Sequence, residues 1–254
     1  MAGVVLCVFA VHAWGGEAFL IPGVEFSKLS LKKGAWCLYR VADEALGLVD
    51  SSEVYIGIPD TAMTDAGPAY WVEIQSRPMH GAPDEGQLLK LLVLERITSM
   101  GVGDSLGEYV LRLYNKSGAH PPQEEDPKGF ERLSLVVPTA DSSWVVTPEV
   151  AGDTPGGAFT CTLKERDAVD VKNISTGSVT LVRRARDNFK VWFCDEIPVF
   201  HLARCEIARV RETETIPPIA GIPASGTKNS KTTAELVAFG YDAKPMMPLG
   251  PQEP

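Results

Sequence analysis

The stretch Ala69-Tyr70-Trp71-Val72-Glu73-Ile74-Gln75 decides the fold. Tyr70, Val72 and Ile74 alternate with Trp71, Glu73 and Gln75, a period of two that sends successive side chains to opposite faces of an extended strand. Its β-branched and aromatic residues suit a pleated, half-buried surface. Outward from it the same period recurs. Val54, Ile56 and Ile58 alternate with Glu53 and Tyr55, and Phe159, Cys161 and Leu163 alternate with Thr160, Thr162 and Lys164. Comparable runs lie near residues 35–41, 109–114, 133–137, 179–182, 189–193, 203–210 and 235–241. A strand that alternates apolar with polar residues belongs to a sheet wet on one side, hence antiparallel.

Turn clusters separate these runs: Pro59-Asp60, Gly81-Ala82-Pro83-Asp84, Lys116-Ser117-Gly118, Asp153-Thr154-Pro155-Gly156-Gly157 and Ser175-Thr176-Gly177. Proline presets φ and glycine tolerates positive φ, so each cluster favours a reversal. Helical signals are few. Glu25 to Lys33 predicts a short helix, Leu88–Ile97 fits a buried strand or a short helix, and Thr139–Trp144 is a weaker helical candidate. The segments 119–128 and 215–231, rich in proline, read as long loops, the second as disordered. The expected fold is mainly β: a curved antiparallel sheet or incomplete β-barrel with one or two short helices.

The chain has 254 residues, 44% of them hydrophobic, enough for one sizeable β-rich domain. A formal net charge of −9 disfavours a phosphate backbone as partner, so nucleic acid is not expected. The one dense cationic run, Arg183-Arg184-Ala185-Arg186, reads as a solvated turn. Ala2 to Trp14 is almost wholly apolar, uncharged and too short to span a bilayer. It reads as the core of a signal peptide, with small-residue cleavage sites at Val11-His12-Ala13 and Gly16-Glu17-Ala18, although no Lys or Arg precedes it. The expected organisation is a signal peptide at 1–18, a single β-rich domain at 19–245 and a proline-rich tail at 246–254. Export to the periplasm or cell envelope follows, with a mature protein that does not span the membrane.

Removal of such a leader leaves Cys37, Cys161, Cys194 and Cys205. Four cysteines in an oxidising compartment allow two disulfides in three pairings, and the spacing of Cys194 and Cys205 suits a hairpin closed by a bridge. Buried free thiols are the competing reading. No CxxC occurs and no histidine stands at ligand spacing, so no metal is expected. His80, His120 and His201 lie far apart, and GxSxG, Walker and GxGxxG motifs are missing, so neither catalytic residue nor cofactor is assigned. Asn173-Ile174-Ser175 is a formal glycosylation sequon. Trp36, Trp71 and Trp192 stand in predicted strands and are the candidates for lining an apolar concavity, against the plainer alternative of core packing.

Three segments carry a resemblance. They are Leu31-Lys32-Lys33-Gly34-Ala35-Trp36-Cys37-Leu38-Tyr39-Arg40-Val41, Ala69-Tyr70-Trp71-Val72-Glu73, and the run from Lys190 to Phe200, followed by Glu235 to Ala243. Their order resembles exported bacterial proteins similar to the LolA-like lipoprotein carriers. The resemblance implies a curved antiparallel sheet forming an incomplete barrel over an apolar cavity, and an acyl-chain ligand. It brings no catalytic residue. The expected function is therefore non-enzymatic binding of a hydrophobic ligand, with a structural or protein-interaction module of the envelope as alternative and a hydrolase as a third reading.

Overall fold

In the computed structural model, residues 29–80, 86–99, 106–127, 144–176, 179–217 and 225–247 are described. Alternation becomes pairing in eleven strands: β1 Trp36–Ala45, β2 Leu48–Thr64, β3 Gly67–Pro78, β4 Gln87–Leu94, β5 Val110–Ser117, β6 Gln123–Glu125, β7 Val145–Thr154, β8 Gly157–Thr176, β9 Val179–Phe193, β10 Leu202–Ile216 and β11 Ser225–Gly240. They form one antiparallel sheet in the order β6-β5-β4-β3-β2-β1-β11-β10-β9-β8-β7. Two meanders, β1 to β6 and β7 to β11, thus meet at a single seam where β1 pairs with β11 from Trp36↔Gly240 to Ala45↔Ser230. The sheet is not closed: β6 and β7 occupy its opposite edges. The expectation of a mainly β, open antiparallel sheet holds.

One face carries the core across the seam. Cys37, Tyr39 and Val41 on β1 share that face with Ile56 and Val54 on β2, Ile74 and Val72 on β3, Leu89 and Leu91 on β4, and Leu113 on β5. On the other side it continues through Leu236 and Ala234 on β11, Cys205 and Ile207 on β10, and Val191 and Phe189 on β9. The β1 side chains are pinned to the turn before β10: Cys37 Sγ donates to the Pro198 carbonyl at 3.1 Å, and Tyr39 Oη donates to the Leu202 carbonyl at 3.1 Å.

Several local readings are corrected. Leu88–Leu94 is strand, with every residue of β4 buried, and Glu95–Ser99 after it turns helically, as 3-10. The described part of the expected first helix, from Leu29, is not helical: Ser30 bridges Val199, and a turn at Lys33-Gly34 follows. The third helical candidate lies almost wholly outside the described residues. Gln123–Glu125 pairs with β5 as a short edge strand inside the expected loop. Within the expected disordered segment, β10 runs on to Ile216 and β11 begins at Ser225, because Glu214 and Ser225 still pair. The cationic run 183–186 is strand, each residue in register with β10, rather than a turn.

Tyr241 to Met247 is held against the sheet. The tail crosses the reverse face of the first meander: Ala243 N–H donates to the Gly34 carbonyl at 2.8 Å, and Met247 is buried. Gly34 has φ +87°, and a Cβ there would stand 2.5 Å from the Tyr241 carbonyl oxygen. Both facts exclude a side chain. Gly34→Ala is expected to cost about 1–3 kcal/mol, the usual cost of such backbone strain, as a lowered urea midpoint with unchanged slope. An unchanged midpoint would mean the tail does not hold this turn.

Candidate functional site

Parity decides where the tryptophans point. Trp36 pairs with Gly57 and Gly240, in phase opposite to Cys37, so it lies on the reverse face. Trp71 faces the same way, in register with Leu92 and opposite in phase to Val72. Glycine makes room: a Cβ at Gly240 would meet the Trp36 indole at 2.7 Å. Trp36 stacks on Tyr55 with ring centroids 5.9 Å apart, and its indole N–H donates to Asp242 Oδ1 at 2.7 Å. Trp71 packs against Tyr114 at 6.2 Å. These rings form a half-buried aromatic strip across β1 to β5, beneath the tail. Trp192 stands apart on β9, beneath the Arg204 guanidinium at 5.4 Å, though it still borders the main cluster. The structure thus groups Trp36 with Trp71 and separates Trp192 from both.

At the centre of the strip lies a pair that sequence reasoning missed. Glu73 is 0% exposed and Lys90 nearly so, with Lys90 Nζ 3.0 Å from Glu73 Oε1. The strand register places them directly opposite each other on β3 and β4. Two buried charges persist only when their remaining hydrogen-bonding capacity is filled. Here the tail fills it. Met246 N–H donates to Glu73 Oε2 at 2.7 Å, Met247 N–H donates to Oε1 at 3.2 Å, and Lys90 Nζ donates to the Met247 carbonyl at 2.8 Å. The Lys90 ammonium also sits 5.2 Å from the Trp71 ring centroid. The available signal was Lys90 alone inside Leu88-Leu89-Lys90-Leu91-Leu92-Val93-Leu94, facing the glutamate of the Trp-x-Glu strand.

Among the described residues the thiols of Cys37, Cys161, Cys194 and Cys205 are buried and free, and Cys194 is not joined to Cys205. Cys205 sits within β10 against Val191 and Ala234, whereas Cys194 follows β9 and donates to the Thr160 carbonyl at 3.4 Å, beside Cys161. The expected hairpin bridge therefore lacks its geometry, because β10 starts eight residues after Cys194 and a turn carries the chain away. Burial pushes the Cys37 and Cys161 thiols up to about 12. Such thiols stay protonated and make poor nucleophiles.

Beyond Glu165, β8 to β11 extend past β7 and most of β1 as a four-stranded arm. Asp187, a buried carboxylate within it, is gripped by Arg211 Nη1 at 2.7 Å and Arg209 Nε at 3.7 Å. Where the β1–β2 hairpin ends against β11, residues 44–47 and 227–231 bound an open cleft of about 410 Å³. The hairpin tip exposes Leu46 and Leu48 at 77% and 76%. His80, His120 and His201 are dispersed, and among the described residues no cluster of three metal-ligating side chains forms. No described helix is long and apolar enough to cross a membrane. The fold and site define an open, eleven-stranded antiparallel β-sheet protein with an aromatic strip locked beneath its own tail. No known protein-family pattern matches the chain, and no curated protein matches it either.

Proposed function

We propose that this chain is an exported, non-enzymatic protein of the periplasm or cell envelope that binds a hydrophobic ligand, an acyl chain or lipoprotein-like group, against its curved sheet. One observation carries the reading: the sheet remains open between β6 and β7 while a single apolar face runs unbroken across the β1–β11 seam. An open sheet admits a ligand along its edge, and its two meanders can spread about one seam without breaking hydrogen bonds within either. The apolar leader of the sequence supports export, and the resemblance to LolA-like carriers points to an acyl-chain ligand. Burying about 300 Å² of acyl chain is worth roughly 7–8 kcal/mol at ~25 cal/mol per Å², before association costs are subtracted. That suffices for micromolar binding once those costs are moderate.

The expected result is saturable, one-to-one uptake of an environment-sensitive fluorescent fatty acid, displaced by unlabelled fatty acid. No emission change at saturating protein would overturn the proposal. A second reading, an envelope interaction module, is favoured by the bare Leu46, Leu48 and Val49 at the β1–β2 tip. Its mark would be an envelope partner lost on Leu48→Asp while fatty-acid uptake stays unchanged.

A further inference from the structure

Two of the buried thiols stand opposite each other. The β8–β9 ladder ends at Thr162↔Phe193, and one step further the same register sets Cys161 across from Cys194. Cys161 lies within β8, and Cys194 directly follows β9. The Cys194 N–H turns away from β8 and donates to the His201 carbonyl at 2.7 Å. Toward β8 the two residues therefore form a non-hydrogen-bonded pair, in which opposed Cα atoms stand about 4.5 Å apart and side chains come closest. A disulfide spans Cα atoms roughly 4.4–6.8 Å apart, so a bridge fits here without backbone movement. The sulfurs already touch. The Cys161 thiol donates to the Cys194 sulfur, whose own proton goes to the Thr160 carbonyl at 3.4 Å.

The sheet disfavours the other partners. β11 lies between Cys37 on β1 and Cys205 on β10, and β9 lies between Cys161 and Cys205. Two strand spacings come to about 9–10 Å, beyond the reach of one bridge. Cys205 adjoins β9 but is out of step with Cys194, because it pairs with Val191. Cys37 turns its Sγ–H to the Pro198 carbonyl.

We propose that Cys161 and Cys194 are a redox site, closing as a disulfide that ties β8 to the turn after β9 and leaves Cys37 and Cys205 as thiols. The oxidant is a small disulfide of the glutathione class. One cysteine thiolate attacks it, releasing a glutathione thiolate and forming a mixed disulfide. The second cysteine thiolate then displaces the other glutathione, so two thiols become one S–S bond and the reagent becomes two thiols. Exchange runs while the end of the ladder is open during folding, because both residues are covered once it closes. Its occurrence in the cell rests on the export proposed above, whereas the pairing rests on the sheet register.

The test is refolding of the full reduced chain in a glutathione redox buffer, followed by intact mass, alkylation and non-reducing peptide mapping. The expected product is about 2 Da lighter than the reduced chain, the loss of two hydrogens. Its map should join the peptides of Cys161 and Cys194, with Cys37 and Cys205 alkylated. Cys205→Ser should keep that bridge, and Cys161→Ser should lose it. In the oxidised chain neither thiol of the pair titrates, so stability between pH 9 and 12 should fall less steeply than in the chain refolded under reductant. Refolding with Cys161 and Cys194 both still alkylated overturns the proposal, as does a bridge that maps to Cys37 or Cys205. Fatty-acid uptake is read separately, so either proposal can fail while the other stands.

Discussion

Glu73→Ala is expected to destabilise the fold by about 3–5 kcal/mol, the usual cost of stranding one charge of a buried ion pair. Lys90 would be left in a site with almost no water, retaining only the Met247 carbonyl and the Trp71 face. Met246 and Met247 would lose the acceptor that holds their N–H groups. At roughly 2–4 °C per kcal/mol for a chain of this size, the melting temperature should fall by about 10 °C. Heat or urea unfolding followed by circular dichroism reads this directly. The double change Glu73→Leu/Lys90→Met separates two contributions. It removes both charges, so the ion-pair penalty vanishes, but the two tail N–H groups still lack their acceptor. A residual loss of about 1–3 kcal/mol is expected from those donors. A wild-type melting temperature in Glu73→Ala would show that the tail is not anchored at this pair.

The second large effect is alkaline. Burial pushes Cys37 and Cys161 up to about 12 from an ordinary 9.0, and Tyr39 well above its ordinary 10.0. Tyr55, beneath Trp36, is raised to about 12, first by burial and then by the Glu73 charge. In the unfolded chain these thiols release their protons near pH 9, while the folded chain keeps them to about 12. The folded state therefore binds more protons within that window, and its stability falls as pH rises through it. Below pH 9 these groups contribute no slope. Urea unfolding free energies should decline steadily between pH 9 and 12. Cys37→Ala should remove part of the slope, because it deletes one of the protons held. A flat profile across that window would mean the thiols are not sealed in the core.

Much of the sheet was legible because strands such as β1, β2 and β3 keep one face dry. Val54-Ile56-Ile58 and Tyr70-Val72-Ile74 keep their period because their alternate residues face the reverse side. β4 hid its identity for the opposite reason: the core lies on one face and the tail with Met247 on the other, so Leu88 to Leu94 lost any alternation. The same parity that revealed β3 placed Trp71 with Glu73, away from Val72. Aromatic character drew attention to Trp71, and phase, a stronger constraint, said which face it occupies. What no local pattern encodes is the seam, since Trp36 and Gly240 stand at opposite ends of the described chain. The clamp was illegible for a similar reason: backbone N–H groups of Met246 and Met247 satisfy Glu73, and backbone donors leave no trace in side-chain identity. The strand extension of β10 and β11 into a proline-rich segment also escaped, because Ser225 to Asn229 pair with β10 through their main chain while their side chains stay in water.

The most direct test of the ligand-binding account is native mass spectrometry of the protein purified gently from its own cells, followed by organic extraction. The account predicts a bound lipid at one per chain, released by the solvent and regained when the stripped protein is incubated with envelope lipids. A clean ligand-free mass that persists after that incubation would contradict it.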